Sequence, residues 1–208
     1  MTMTVKRCLK EPISEISLAA DLLNQSATAH FDGDSILAEQ LLIKADISVI
    51  RDWTESIWGQ AGVYSHLVKT LGNPKTLPKN ERDSVRMPSK SLELELLKRD
   101  GFNCRFCGIP LIRKETRIFF QKKYPNAVMW GKTNSEQHAA FQAMWMQFDH
   151  LIPHARGGKT SKENLLITCA PCNYGRMNFL VDEIGLIKPN TDQENLSTWN
   201  GLENGLIH

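Results

Sequence analysis

Two Cys-x-x-Cys pairs constrain the fold of this chain more than any other feature of its sequence. The pairs are Cys104/Cys107 and Cys169/Cys172, and together they supply the four thiolates that a tetrahedral structural zinc site requires. Residues 108–168 separate the pairs, an interval too long for a simple zinc ribbon. A shared metal would therefore join two distant segments of the chain.

Zinc is favoured over a redox dithiol or structural disulfides, because a cytoplasmic location would keep the thiols reduced. A cytoplasmic location is expected because the first residues, MTMTVKRCLKEP, lack the apolar core of a secretory signal. No apolar run approaches the roughly 20 residues of a membrane-spanning helix, so no membrane association is expected. The fifth cysteine, Cys8, is interpreted as an ordinary small side chain.

Charge is distributed unevenly along the 208 residues, which suffice for one domain with an extension or for two small domains. Residues 1–90 carry 11 Lys/Arg and 11 Asp/Glu, residues 91–180 carry 13 and 7, and residues 181–208 carry 1 and 5. A basic centre of this kind is typical of polyanion binding, although a solvated surface has the same composition.

The first part of the chain, residues 1–70, is predicted to be all helical. Within DSILAEQLLIKADISVIRDWTESIWG, Asp34 or Ser35 is the expected N-cap and Gly59 the expected stop. Isoleucines recur there at helical spacing, at positions 36, 43, 47, 50 and 57. This broad apolar face requires a cover, which is either the rest of residues 1–70 or another protein contacting Ile47 and Ile50.

The rest of the chain divides into three regions. Residues 71–88 contain three prolines and predict a linker, and residues 183–208 form an acidic C-terminal tail. Between them, residues 89–182 form a second domain. That domain opens with a predicted helix in SKSLELELLKRDG, which Gly101 ends.

The stretch before the second cysteine pair predicts a hairpin. An apolar run, AMWMQFDH, ends at Asp149 and His150, and a turn containing Gly157 and Gly158 leads to the strand-length run NLLITC. After the cysteines, NYGRMNFLVDEIG is compatible with a helix. The predicted local order is strand, long loop, strand, helix.

In these residues the chain resembles the HNH endonucleases, whose ββα-metal fold has this order. The resemblance covers residues 89–182. It rests on Asp149-His150, Pro153, Gly157-Gly158, Asn164-Leu165, Cys169-x-x-Cys172 and Asn173. The three signature positions fall on His150, Asn164 and Asn173, with asparagine in place of the final histidine. The implied fold class is α+β, with an HNH core held by a four-cysteine zinc site after an all-helical N-terminal region.

The resemblance implies a role for each signature residue. His150 is the expected general base, and Asp149 and Asn173 are the expected ligands of a catalytic Mg²⁺ or Mn²⁺. Asn164 is expected to hold its loop through side-chain hydrogen bonds and so to orient His150. The zinc held by the four cysteines is expected to be structural, because they leave no open coordination position.

Several basic side chains are candidates for binding nucleic acid. The candidates are His154, Arg156, Arg176, Lys122 and Lys123. A guanidinium binds a phosphate through paired hydrogen bonds, which favours the arginines. The two lysines belong to the stretch at about 110–143, which is longer than the minimal HNH pattern and is interpreted as an insertion. Basic residues alternate there with aromatic ones. This pattern suits contacts to a nucleic-acid backbone with base stacking, and it suits a solvated helix with packed aromatics equally well.

These observations predict a metal-dependent HNH endonuclease that hydrolyses phosphodiester bonds, with DNA favoured over RNA. Two alternatives stay open: a zinc-stabilised nucleic-acid-binding module without catalysis, and an RNase acting on structured RNA such as tRNA. HNH proteins of this size with a helical front part resemble effectors of antiphage defence, such as the Septu and retron-associated systems. That resemblance implies a companion ATPase bound to the helical region.

Overall fold

The computed structural model describes residues 6–195 and 197–203. The ends of the predicted helical region and of the predicted tail, residues 1–5 and 204–208, lie outside the described residues, as does residue 196. The helices, in chain order, are α1 (Ser14–Phe31), α2 (Ser35–Ala45), α3 (Ser48–Trp58), α4 (Val63–Leu71), α5 (Lys90–Asp100), α6 (Lys114–Lys123), α7 (Ala139–Ala143) and α8 (Ala170–Arg176). The strands are β1 (Met146–His150) and β2 (Leu165–Cys169).

The helix predicted to run unbroken toward Gly59 is two helices, α2 and α3. Asp34 caps the first, its carboxylate accepting from the Leu37 amide at 2.9 Å, and Gly59 ends the second. Between them the backbone turns at Asp46, whose carboxylate accepts from the Ala139 amide at 2.7 Å and from Arg51 at 3.0 Å. A tertiary contact thus uses the side chain at the break, which helical periodicity alone does not reveal.

The apolar stripe of α2 and α3 is mostly covered within the chain. Leu42, Ile50 and Ile57 are at most 1% exposed, so of the two predicted covers the chain itself covers Ile50, which is not accessible to another protein. By contrast, Ile36 and Ile43 are 73% and 56% exposed. The exposed part of the predicted stripe therefore lies on α2, at Ile36 and Ile43.

The two strands form an antiparallel hairpin, as the sequence predicts. Asp149 pairs with Leu166 and His150 with Leu165, at the end of the hairpin where the long loop connects the strands. Every residue of β2 is buried, which matches its unbroken apolar run.

Helix α8 follows β2 directly and is shorter than predicted. Pro171 occupies its first turn, where a missing N–H costs no hydrogen bond. The helix ends at Arg176, and Met177 follows with φ +49°. The Arg176 guanidinium donates to the Phe179 carbonyl at 2.7 Å, and this local bond accompanies the end of the helix. The longer helix predicted in NYGRMNFLVDEIG is therefore wrong beyond Arg176.

One hydrophobic core is shared by the N-terminal helices and the segment around the hairpin. Helix α3 packs against both α7 and α8. The Trp58 and Tyr174 rings meet edge to face with centroids 5.1 Å apart. The C-terminal residues return to the same body, where the Trp199 indole donates to the Leu111 carbonyl at 2.8 Å.

Within the described residues, no helix combines the length and apolar character that crossing a bilayer requires.

Candidate active site

The four cysteines predicted to share a metal lie together. The Sγ atoms of Cys104, Cys107, Cys169 and Cys172 are all within 4.8 Å of one another. Three of these side chains are buried and Cys107 is partly exposed. Four thiols converging in a mostly buried pocket fit a tetrahedral zinc site.

Cys8 stays outside this group. Its thiol donates to the Glu11 carboxylate at 3.4 Å. Burial, with the neighbouring Glu11, raises the pKa of Cys8 to about 12. The thiol is therefore protonated at neutral pH and is a poor metal ligand, since only the thiolate binds zinc well.

Backbone turns deliver the two cysteine pairs to one place. The first pair lies in a tight turn in which the Gly108 amide donates to the Cys104 carbonyl at 2.8 Å, and Gly108 has φ +80°. The second pair lies at the junction of β2 and α8, where the Cys172 amide donates to the Cys169 sulfur at 3.3 Å. A bond from the Arg105 amide to the Ile167 carbonyl, 3.0 Å long, joins the first turn to β2.

The loop between the strands is held by Asn164. Its amide oxygen accepts from the Ile152 amide at 2.8 Å, while its nitrogen donates to the carbonyls of Ile152 at 3.1 Å and Lys159 at 2.8 Å. Gly158 lies so close that a Cβ there would overlap the Ile152 carbonyl oxygen. The side chain thus closes the loop that follows His150.

Asp149 and His150 leave β1 in opposite directions, as strand geometry requires. The Asp149 carboxylate is buried against α8, where Arg176 donates to it from Nη2 at 2.5 Å and from Nε at 3.3 Å. Burial raises the pKa of the Asp149 carboxyl, and Arg176 offsets part of that rise. Each carboxylate oxygen keeps a lone pair for a further partner.

His150 is in contact with the loop rather than with Asp149. Its Nε2 lies 3.0 Å from the Thr160 hydroxyl, and its ring meets that of His154 edge to face at 5.7 Å. Burial, followed by the nearby His154, Arg86 and Arg176, lowers the pKa of His150 to about 4. The imidazole is consequently neutral at pH 7 and able to accept a proton.

Asn173 lies on α8, three residues before Arg176, so the two side chains share one face of the helix. Its side chain is partly exposed and has no hydrogen-bond partner within residues 6–195 and 197–203. An amide oxygen without a protein partner is available to a cation.

The structure corrects the expected phosphate contact of Arg176. This side chain is fully buried, and besides Asp149 it donates to the carbonyls of His150 at 2.6 Å and Leu151 at 3.3 Å. Its guanidinium therefore faces the protein interior instead of a bound phosphate.

The other predicted nucleic-acid contacts differ in accessibility. Arg156 forms an ion pair with Glu183 at 2.5 Å, so its charge already has a partner. His154 lies 2.8 Å from the Asp83 carbonyl through Nε2 and is partly exposed. Lys122 and Lys123 are exposed at the end of α6.

A segment interpreted from sequence as a linker lies against the loop after His150. We call residues 77–86 the strap. The Leu77 amide donates to the Ala155 carbonyl at 2.8 Å, and the Thr160 hydroxyl donates to the Val85 carbonyl at 2.7 Å. The prolines of this segment predicted only that it is not helical. No pattern in its sequence predicted that the strap contacts the loop after His150.

The strap also brings a cation that sequence reasoning missed. Arg86 follows Val85 directly, is exposed, and has no hydrogen bond or ion pair among the described residues. Its charge is close enough to contribute to the lowered pKa of His150.

Comparison with known families bears on this arrangement. Residues 135–178 match the family model for the HNH endonuclease. This HNH segment contains Asp149, His150, Asn164 and Asn173, the hairpin and all of α8. The family resemblance of these residues is thereby confirmed, and the HNH segment indicates a nuclease.

The match ends short of the complete site. Cys104 and Cys107 precede the HNH segment, so the four-cysteine cluster depends on a part of the chain that the family model does not cover. No curated protein and no solved structure is significantly similar to the chain.

Proposed function

We propose that this protein is a metal-dependent HNH endonuclease of the zinc-bearing type that hydrolyses phosphodiester bonds, in DNA rather than RNA, in the cytoplasm. The observation that supports the proposal is the HNH arrangement itself: His150 and Asp149 end β1, and α8, which packs on β1, presents the Asn173 amide without a hydrogen-bond partner among the described residues. Hydrolysis requires an activated water and neutralisation of the phosphate charge. The resemblance to HNH enzymes implies a 5′-phosphate and a 3′-hydroxyl product.

Each residue then has a distinct task. His150 accepts a proton from the attacking water. Asp149 and Asn173 hold Mg²⁺ or Mn²⁺, which when bound supplies positive charge to the phosphate and to the departing oxygen. Asn164 keeps the loop closed around His150, and Arg176 fixes the Asp149 carboxylate.

Basic side chains that face solvent bind the substrate backbone. His154, Lys122 and Lys123 retain this proposed role, and Arg86 joins them because no carboxylate of the described residues neutralises it. Arg156 contributes less, since Glu183 competes for its guanidinium. Phosphate contacts of this kind are independent of base sequence.

Replacement of His150 tests the proposal. We expect His150→Ala to lower nicking of supercoiled plasmid in Mg²⁺ or Mn²⁺ by about 10²- to 10⁴-fold, the usual contribution of a general base. His66→Ala, at an exposed position on α4, is the matched control and should cut like the wild type. Equal cutting by the wild type and His150→Ala, or no cutting of either DNA or tRNA, would favour a binding module without catalysis.

We further propose that the nuclease is an antiphage effector controlled by a companion ATPase. The supporting observation is a set of exposed apolar side chains on α1 and α2, namely Leu18, Ile36, Leu37 and Ile43, which are 43–73% exposed. A surface of this kind, outside the shared core, suits a protein partner.

Co-purification tests this proposal about the partner. We expect Ile36→Asp with Ile43→Asp to release a co-purifying ATPase, because charges there would oppose apolar docking. Lys44→Glu, on the same helix, controls for a general effect of added negative charge. Retention of the partner by the double variant, or absence of any ATPase from the wild-type preparation, would contradict it.

A further inference from the structure

A chain of two hydrogen bonds joins the proposed general base to the strap. The His150 Nε2 lies 3.0 Å from the Thr160 Oγ1, and this hydroxyl donates to the Val85 carbonyl at 2.7 Å. His150 belongs to β1, Thr160 lies in the loop between the strands, and Val85 lies in the strap.

The direction of these bonds determines where the imidazole carries its hydrogen. A threonine hydroxyl has one hydrogen, and in Thr160 that hydrogen points to the Val85 carbonyl, which can only accept. The Thr160 hydroxyl must therefore accept a hydrogen bond from His150, so the hydrogen of the imidazole is on Nε2. A neutral imidazole with hydrogen on Nε2 has its free lone pair on Nδ1.

Other contacts keep the Val85 carbonyl in place. At one end of the strap, the Leu77 amide donates to the Ala155 carbonyl, and the Arg82 guanidinium donates to the Leu77 carbonyl at 2.7 and 2.9 Å. Near its other end, the Asp83 carbonyl accepts from His154 at 2.8 Å. The acceptor that orients Thr160 is thus part of a bonded segment.

We propose that Thr160, oriented by the Val85 carbonyl, is a positioning residue that holds His150 with hydrogen on Nε2 and so leaves Nδ1 to accept the proton of the attacking water. This inference rests on the proposed nuclease function and deepens it. Without the threonine hydroxyl, the Nε2 tautomer loses its acceptor, and the ring can also rotate about its χ angles.

Two substitutions separate the hydroxyl from the volume of the side chain. Thr160→Val keeps the shape and removes the hydroxyl, whereas Thr160→Ser keeps the hydroxyl. We expect Thr160→Val to lower kcat by about 10- to 100-fold with KM within about twofold, because base catalysis and not binding is impaired. Thr160→Ser should recover most of kcat. Thr70→Val, which removes an exposed hydroxyl that donates to the His66 carbonyl, should cut like the wild type.

Long-range ¹H–¹⁵N correlation spectra of the full-length protein report the tautomer directly, without any need for activity. Absence of one imidazole signal in His150→Gln assigns the ring. We expect hydrogen on Nε2 of His150 in the wild type and in Thr160→Ser, and a mixture of both tautomers in Thr160→Val.

Three results would overturn the inference. They are hydrogen on Nδ1 of His150 in the wild type, undiminished kcat in Thr160→Val, and a fall in kcat for Thr160→Val with an unchanged tautomer. If Thr160→Val does not fold, the spectra of the wild type and Thr160→Ser decide. A wild type that cuts no nucleic acid would refute the proposed function, while the spectra would still decide the tautomer.

Discussion

Arg176 and Asp149 form a buried ion pair. Arg176 also binds three backbone carbonyls, those of His150, Leu151 and Phe179. A buried charge is costly unless it is paired and hydrogen-bonded, and this arrangement meets both conditions. The pair therefore fixes the end of β1, where the two proposed catalytic residues leave the strand, against α8.

The hydrogen bonds and the burial of His138 favour the neutral form of its imidazole over the protonated form. Its Nδ1 accepts from the Phe141 amide at 3.5 Å, so its Nε2 must donate to the Leu42 carbonyl, 2.9 Å away. Burial lowers the pKa of His138 below its ordinary value. The same bond from the Phe141 amide makes His138 the N-cap of α7.

Stability should consequently fall in mild acid. Below pH about 6.5 the unfolded chain binds a proton at His138 that the folded chain resists, so the free energy of unfolding decreases as pH falls, by at most about 1.4 kcal/mol per pH unit. In urea unfolding between pH 7.5 and 5, we expect His138→Gln, which keeps a donor for the Leu42 carbonyl, to show a weaker decrease than the wild type. His66→Gln should follow the wild type, and equal slopes in all three proteins would contradict this account.

At the scale of elements, the four-cysteine cluster joins the turn after α5 to the junction of β2 and α8. An acidic side chain reinforces the join: the buried Asp100 carboxylate accepts from the Ile167 amide at 2.9 Å and from Arg99 at 2.7 and 2.8 Å. Two strands make a marginal sheet on their own. The hairpin therefore depends on these external ties.

Removal of zinc should unfold the site. Binding of structural zinc contributes on the order of 10 kcal/mol in small zinc domains, so we expect a strong chelator to lower the Tm markedly and added Zn²⁺ to restore it. Metal analysis should find one zinc per chain in the wild type and in Cys8→Ser, and none in Cys172→Ser. Zinc retained by Cys172→Ser, or a Tm unaffected by chelation, would exclude the four-cysteine site.

On the scale of the whole molecule, the N-terminal helices and the HNH segment form one packed body. The Arg51 guanidinium donates to the Gln137 carbonyl at 3.0 Å, and Asp46 binds the Ala139 amide. These bonds tie α2 and α3 to the insertion that precedes β1. The insertion thus has a structural task besides any contact with nucleic acid.

Gly175 marks the closest approach between the two parts. A Cβ at this position would overlap the Ile57 Cγ2 and the Leu9 Cδ1. Glycine to alanine within a helix ordinarily stabilises by about 0.5–1 kcal/mol; here we expect Gly175→Ala to destabilise by about 1–3 kcal/mol through overpacking. Denaturant unfolding measures the difference, and a stabilised variant would show that α3 and α8 can separate without cost.

Short-range patterns in the sequence were enough for part of this structure. Apolar runs of strand length and paired glycines predict the hairpin and the loop that Asn164 closes, because each depends on residues within one supersecondary unit. The thiol cluster joins two distant segments, and it was predicted because two identical Cys-x-x-Cys spacings together supply one complete set of zinc ligands. The break between α2 and α3 was missed, since the Asp46 side chain binds a distant backbone amide there. The early end of α8 was also missed, although the bond that accompanies it, from Arg176 to the Phe179 carbonyl, is local.

The sequence by itself determined which chemical groups meet at the hairpin: an imidazole, a carboxylate, two asparagines and four thiols. Only the tertiary structure decided that Arg176 turns inward to Asp149, that Ile50 is buried, and that the strap reaches His150 through Thr160. The physical reason is that side-chain periodicity encodes which face of an element is apolar, whereas the partner of a buried charge or hydroxyl depends on which distant backbone groups packing brings within about 3 Å.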